Sequence, residues 1–311
     1  MQKKKRFLYV LLTGFVFLFG ALFYIYFWLA RPEGSGSAGP MVPAEPFERV
    51  WSERKVLLLG LGDSITAGFG MEAPYGYVAR LAQNPEDEFP DMQGKCLTRV
   101  LPNLSVLNIA VSGSTSIHHV THIEEKLPIQ PDDVFGLVVF TTGGNDLIKN
   151  YGQTKPREGA MYGATLEEAQ PWIAAYEKRL DEMVLAIRAK FPGGCHIFLA
   201  DIYDPTDGVG DAASAMLPHW PDGLKILERY NKAIRECAER HGFVDHVPMH
   251  AAFLGHGTHC TQFWRKNYRR DDPSYWFSSN LEDPNIRGFD AIRRVFLLKI
   301  CEVQEAYAVF Q

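Results

Sequence analysis

Five apolar runs, each followed by a stretch of helical period, constrain this chain more than any other feature. They are KVLLLGL (55–61), LSVLNIAV (104–111), DVFGLVVFTT (133–142), CHIFLADI (195–202) and GFVDHVPM (242–249). Several are apolar at nearly every position, the pattern of strands covered on both faces of a parallel sheet. Helices are predicted over 75–83, 116–126, 166–190, 222–240 and 286–306. Within 166–190, Leu166, Ile173, Tyr176, Leu180, Met183, Val184 and Ile187 recur three, four or seven apart and form one apolar stripe. This alternation predicts a doubly wound α/β domain, in which sites form beyond the carboxyl ends of the strands.

The 311 residues suffice for one large domain or two small ones. A net charge of -5 offers no basic surface for phosphates, so no nucleic-acid partner is expected. Residues Phe7 to Ala30 carry no charge and follow MQKKKR, a stretch long enough to span a bilayer and too long for a cleaved signal. We read 1–31 as a cytoplasmic basic stub and transmembrane anchor. Lys3, Lys4, Lys5 and Arg6 then stay inside and the rest lies outside, with Tyr24, Tyr26 and Trp28 as an interfacial belt. The Gly-, Ser- and Pro-rich segment 32–50 reads as a flexible linker, and 51–311 as the globular domain. Five cysteines with no C-x-x-C spacing read as buried thiols.

The segments after the strands are GDSIT, SGSTS, GGND, DIYDPTDG and HAAFLGHGTH, all beginning with small or polar residues. Gly60 and Gly62 are followed by Ile65 where a dinucleotide fingerprint needs glycine, and no lysine completes a phosphate loop. Ser64 is therefore either a helix N-cap or a nucleophile.

With GDSITAG, VSGSTS and TTGGNDL in this order after the first three strands, the chain resembles the GDSL esterases, also called SGNH hydrolases. The resemblance implies a flavodoxin-like three-layer α/β/α sandwich with a parallel sheet, to which the anchor adds one N-terminal transmembrane helix. It also implies hydrolysis of carboxylic esters of lipids or sugars, with Ser64 as nucleophile and Gly113 and Asn145 as oxyanion donors. No metal or cofactor is expected. HHVTH (118–122) lacks the glutamate of a zinc helix and reads as a helix beside the site, and His256, His259 and Cys260 lack a second ligand cluster.

The last block departs from the family. Where D-x-x-H-P is expected, the chain reads NLEDPN, so Asn280 stands for the acid and Asp283 for the histidine. One reading takes the base from HAAFLGHGTHC, favouring His256 over His259 and His250 because glycines flank it, with Asp283 orienting the imidazole. A second makes Asp283 itself the base. A third leaves a silent binding module, and an acyltransferase of the same fold is a further alternative. The insertion 201–223 either covers the substrate cleft or is a solvated loop. FWRKNYRRDDPSYWF (263–277) suits a carbohydrate, a lipid head group, or internal pairing of Arg269 and Arg270 with Asp271 and Asp272.

Overall fold

Side chains alternate faces along each strand, and both faces of this sheet are covered. Val56 and Leu58 point into one core, while Leu57, Leu59 and Leu61 point into the other. The same division separates Leu137 and Val139 from Val138 and Phe140, and Phe198 from Ile197 and Leu199. That double burial is why the runs are continuous in the sequence.

The structure is a computed structural model; it describes residues 2–307 and 310, without the side chains of 2–6, 215 and 307. The strands are β1 (Lys55–Leu61), β2 (Leu104–Asn108), β3 (Val134–Thr141), β4 (Cys195–Ala200) and β5 (Val244–Val247). All pair in parallel in the order β2-β1-β3-β4-β5, with Gly60 opposite Asn108 and Val139. The helices are α1 (Gln2–Tyr24), α2 (Ser64–Ala67), α3 (Tyr77–Ala82), α4 (Ser116–Lys126), α5 (Gly144–Ile148), α6 (Leu166–Ala189), α7 (Gly223–Arg240), α8 (Met249–Phe253) and α9 (Ile286–Tyr307). Side chains of α3, α8 and α9 enter one core and those of α4, α6 and α7 the other, which makes three layers. The predicted fold is the one observed. Its boundaries shift where the chain stops itself: β2 ends at Asn108, whose side chain bonds the Thr66 carbonyl and the Ala110 N–H, and Pro248 closes β5.

From Phe7 the first helix continues as a π-turn to Leu29, giving 23 residues of mean hydropathy 2.3, long and apolar enough to cross a membrane. Segment 32–50 differs from the expected flexible linker. The Arg287 guanidinium donates to the carbonyls of Glu33, Gly36 and Ser37, Ala38 N–H donates to Asp290, and Val42 and Phe47 are buried. Composition described a tether, but α9 supplies long-range partners that composition does not record. All five cysteines are buried and free.

Beneath this segment lies a buried ion cluster. Glu88 accepts from Arg80 and Arg293, and Asp290 accepts from Arg293 and Arg294. Burial alone would push the Glu88 carboxyl up, but the hydrogen bonds from Arg293 and Arg80 outweigh it and hold it at about 2.

Candidate active site

The turn after β1 is built on glycine and closed by an acid. At Gly62 the backbone has φ +146°, and a Cβ there would lie 2.6 Å from the Thr141 carbonyl oxygen. Only glycine lets β1 and β3 approach so closely at this point. The next residue, Asp63, caps α2: its carboxylate accepts from Ile65 N–H (3.2 Å) and from the Thr141 hydroxyl (3.0 Å). Capping therefore belongs to Asp63 and not to Ser64. Ser64 is the first helical residue, half-buried, and it faces a cavity. Among the described residues its hydroxyl has no hydrogen-bond partner within the protein.

Two further strand ends are tied to this turn. After β3, Gly143 at φ +96° packs under the Tyr176 hydroxyl and starts α5, which presents Asn145 to the same cavity. Asn145 Nδ2 donates to the Ser114 carbonyl (3.0 Å), and an amide nitrogen has a second hydrogen left to give. Gly113, one residue earlier, is exposed, with φ +76° and open space where a Cβ would stand. It is not among the residues lining the cavity, and Lys149 Nζ donates to its carbonyl (3.1 Å).

The buried His119 and Asp146 lock these turns together. His119 bonds the Ser114 hydroxyl through Nε2 (2.8 Å) and the Thr142 hydroxyl through Nδ1 (2.9 Å). Burial, with His122 and His118 nearby, pushes its pKa down to about 3, so this imidazole stays neutral. Asp146 accepts from Ser116 N–H (2.8 Å) and from the Ser116 hydroxyl (2.5 Å). HHVTH thus lies beside the site, as expected, with His119 holding its frame.

The cavity has a volume of about 580 Å³, and its lining is mostly apolar. One wall comes from the insertion after β4, with Tyr203, Met216, Leu217 and Trp220. Of the two sequence alternatives for 201–223, covering the cleft is the one realised. Trp220 is anchored by its indole N–H on the Ala164 carbonyl (2.8 Å) and packs on Tyr162. A second wall comes from Asn280, Leu281 and Glu282. Glu282 accepts from the Tyr151 hydroxyl across 131 positions of sequence, a pairing with no local signal.

His256 is not brought to this cavity. Asp207 accepts N–H bonds from Gly255 (2.8 Å), Gly257 (2.7 Å) and His259 (2.9 Å), wrapping the loop around its own carboxylate. The flanking glycines serve that wrap, since a Cβ on either would strike a carbonyl oxygen of Pro205 or Asn267. The His256 ring is carried onto Trp276 (3.4 Å between centroids, 6° between planes), and its Nδ1–H donates to the Ser274 carbonyl (3.0 Å). Burial, partly opposed by that carbonyl, pushes its pKa down to about 4. His259 pairs with Asp211 (2.7 Å), and no histidine lines the cavity among the described residues.

Asp283 is buried and, like His256, is not among the residues lining the cavity, although Asn280, Leu281 and Glu282 just before it are. Its Oδ2 accepts from Asn280 Nδ2 (2.6 Å), while Oδ1 is buried with no partner. Burial pushes the Asp63 carboxyl up to about 6; the bonds from Thr141 and Ile65 oppose this, and the charge of Asp283 adds to it. Asp63 was not singled out from the sequence, although it is the acid of GDSIT.

Comparison with known proteins agrees with this fold. The GDSL-like lipase/acylhydrolase family matches residues 61–269, ending before the segment that carries Asn280 and Asp283. The acetylxylan esterase Axe2 from Geobacillus stearothermophilus superposes with a TM-score of 0.50 at 20% identity, covering 79% of this chain and 94% of its own. A GDSL-like lipase described as putative, from Parabacteroides merdae, gives 0.52 at 17% identity, covering 84% and 99%. These likenesses are of fold. The uncharacterized protein YpmR of Bacillus subtilis is 25% identical over 154 residues, 50% of this chain, and the chain spans only 54% of that relative's length. Because the family match covers more than half of the sequence and begins at the end of β1, just before Ser64, this chain belongs to the GDSL-like lipase/acylhydrolase family.

Proposed function

We propose that the protein is a membrane-anchored serine esterase in which Ser64 attacks an ester carbonyl and Asp283 takes the serine proton. The observation that carries this reading is an unpartnered Ser64 hydroxyl sharing one cavity with the Asn145 amide. Asp283 supports the choice of base, since Asn280 Nδ2 holds its Oδ2 while its buried Oδ1 has no partner among the described residues. His256 is discarded from this role because its ring is committed to Trp276 and Ser274.

The step is an acyl transfer to Ser64 Oγ. The proton passes to the Asp283 carboxylate as the Oγ–C bond forms. Negative charge on the carbonyl oxygen is met by the free N–H of Asn145 Nδ2 and by the backbone N–H of Ser64, which both line the cavity, whereas Gly113 does not. Collapse expels the alcohol, which takes the proton, and water then releases the acid by the same route. The apolar walls of Leu217, Trp220, Leu224 and Leu281 suit an apolar acyl group, with the alcohol being a lipid or a sugar. The Phe7–Leu29 helix anchors the domain, and the preceding lysines keep that end in the cytoplasm, which puts the domain on the outer side.

Labelling with a fluorophosphonate tests the nucleophile. The wild type is expected to be labelled and Ser64→Ala not; equal labelling overturns the reading. A binding module without turnover, which the lack of a histidine in the cavity lining among the described residues favours, is expected to leave both unlabelled.

A further inference from the structure

The segment at 261–270 closes on the outer end of the anchor helix. Thr261 Oγ1 donates to the Tyr26 carbonyl (3.2 Å) and Gln262 Nε2 to the Phe27 carbonyl (2.8 Å), satisfying groups that a helix end leaves open. Beside them Trp264 stacks on Phe23 (6.1 Å between centroids) and packs on Phe27 (4.8 Å) and Trp28 (5.6 Å), and Phe263 meets Phe27 (5.7 Å) edge-on. Phe23 lies six positions before Leu29, about 9 Å along a helix axis, so Trp264 reaches below the end of the span.

The chain leaves no slack to lift the domain away. Tyr275 N–H donates to the Pro32 carbonyl (2.7 Å) and Arg31 to the Ser214 carbonyl (2.6 Å), only a few residues after Leu29. Even with α1 against them, Phe263 is 62% and Trp264 42% exposed. Lys266, Arg269 and Arg270 follow, all exposed, and among the described residues none of the three pairs with an acid; of the alternatives for this segment, internal pairing of Arg269 and Arg270 with Asp271 and Asp272 is not formed. Asp272 is held instead by Arg287 (2.9 Å).

We propose that 263–270 is a second membrane contact, with Phe263 and Trp264 in the bilayer interface and Lys266 and Arg270 on anionic phospholipid head groups. An aromatic pair at head-group depth followed by unpaired cations fits that layer, and continuity with the anchor places it there. This inference rests on the reading of Phe7–Leu29 as a membrane span. The domain is then clamped on the membrane and does not swing on a tether.

Nitroxide labels on Val16→Cys, Phe263→Cys and Glu239→Cys test it in the full chain, reconstituted in phosphatidylcholine vesicles with or without phosphatidylglycerol. The buried native cysteines are protected. With phosphatidylglycerol present, collision of a water-soluble nickel complex with the 263 label is expected to fall about fivefold below that at 239. Adding Lys266→Glu and Arg270→Glu is expected to restore it at least about twofold. Equal collision at 263 and 239, with the 16 label in lipid, overturns the clamp and leaves the anchor standing. Protection at 263 that ignores both phosphatidylglycerol and the charge reversals overturns the assignment to anionic head groups. A 16 label open to the nickel complex overturns the anchor and the clamp with it.

Discussion

Asn280 Nδ2 donates to Asp283 Oδ2 at 2.6 Å, at the two positions where the family pattern places an acid and a histidine. An amide and a carboxylate thus pair where the family pattern has an acid and a histidine. The other oxygen of Asp283 stays buried and unpaired, beside a carboxyl that is itself pushed up to about 6.

If Asp283 takes the proton, Asp283→Asn lowers kcat/KM by about 10³-fold or more, as loss of a general base in such a site does. His256→Gln, scored per folded molecule, stays within about threefold of wild type, since its ring serves the Trp276 stack. Ester hydrolysis measured alongside a folded-fraction assay separates the two, and the reverse ranking rejects Asp283 as the base.

If Asn145 donates to the oxyanion, Asn145→Ala removes that donor and frees the Ser114 carbonyl. The expected result is a fall in kcat of about 10²-fold, roughly 3 kcal/mol, with KM little changed. A change confined to KM points to a binding role.

Leu217 and Trp220 form the wall contributed by the insertion after β4. Leu217→Trp fills part of the cavity and is expected to reduce kcat/KM for long acyl esters at least about tenfold more than for acetyl esters. A series of p-nitrophenyl esters reads this directly, and a uniform loss across the series argues against an acyl site.

Asp63 is buried and its pKa is raised above the unfolded value, so folding favours its protonated form. Its contribution is fully present below about pH 4 and is lost as pH rises through about 6. Asp63→Asn is expected to stabilise the fold at pH 7 by about 1–3 kcal/mol and to flatten stability between pH 4 and 6. Urea unfolding across that range measures both.

Glu88 has the opposite sign. Its folded pKa of about 2 lies below the ordinary 4.5, so its stabilisation is present above about pH 4.5 and is lost as pH falls toward 2. Glu88→Gln leaves Arg80 and Arg293 buried without their shared carboxylate, and about 3–5 kcal/mol of stability is expected to go at pH 7. Thermal or urea unfolding of the variant checks this, and a loss below 1 kcal/mol shows that Asp290 suffices for both guanidiniums.

Several features of the chain were legible before any fold. The strands were readable because both faces of the sheet are apolar, so burial is written at consecutive positions. The helices were readable from one-sided stripes such as Ile173, Tyr176 and Leu180, and Ser64 and Asn145 from short blocks that follow strands. What composition misdescribed was segment 32–50, whose order comes from Arg287 and Asp290, about 250 positions away.

By itself, the sequence determined the doubly wound fold, the 23-residue apolar helix and the identity of the polar blocks at the strand ends. Only the tertiary structure decided which side chains face the cavity. His256 sits between glycines that looked free to turn it inward, yet Asp207, 49 positions earlier, draws the loop's N–H groups to itself and points the ring at Trp276. Tyr151 and Glu282 share a wall of the cavity because loops 131 positions apart meet there. Local pattern records burial and turn chemistry, whereas side-chain direction is set by partners far away in the chain.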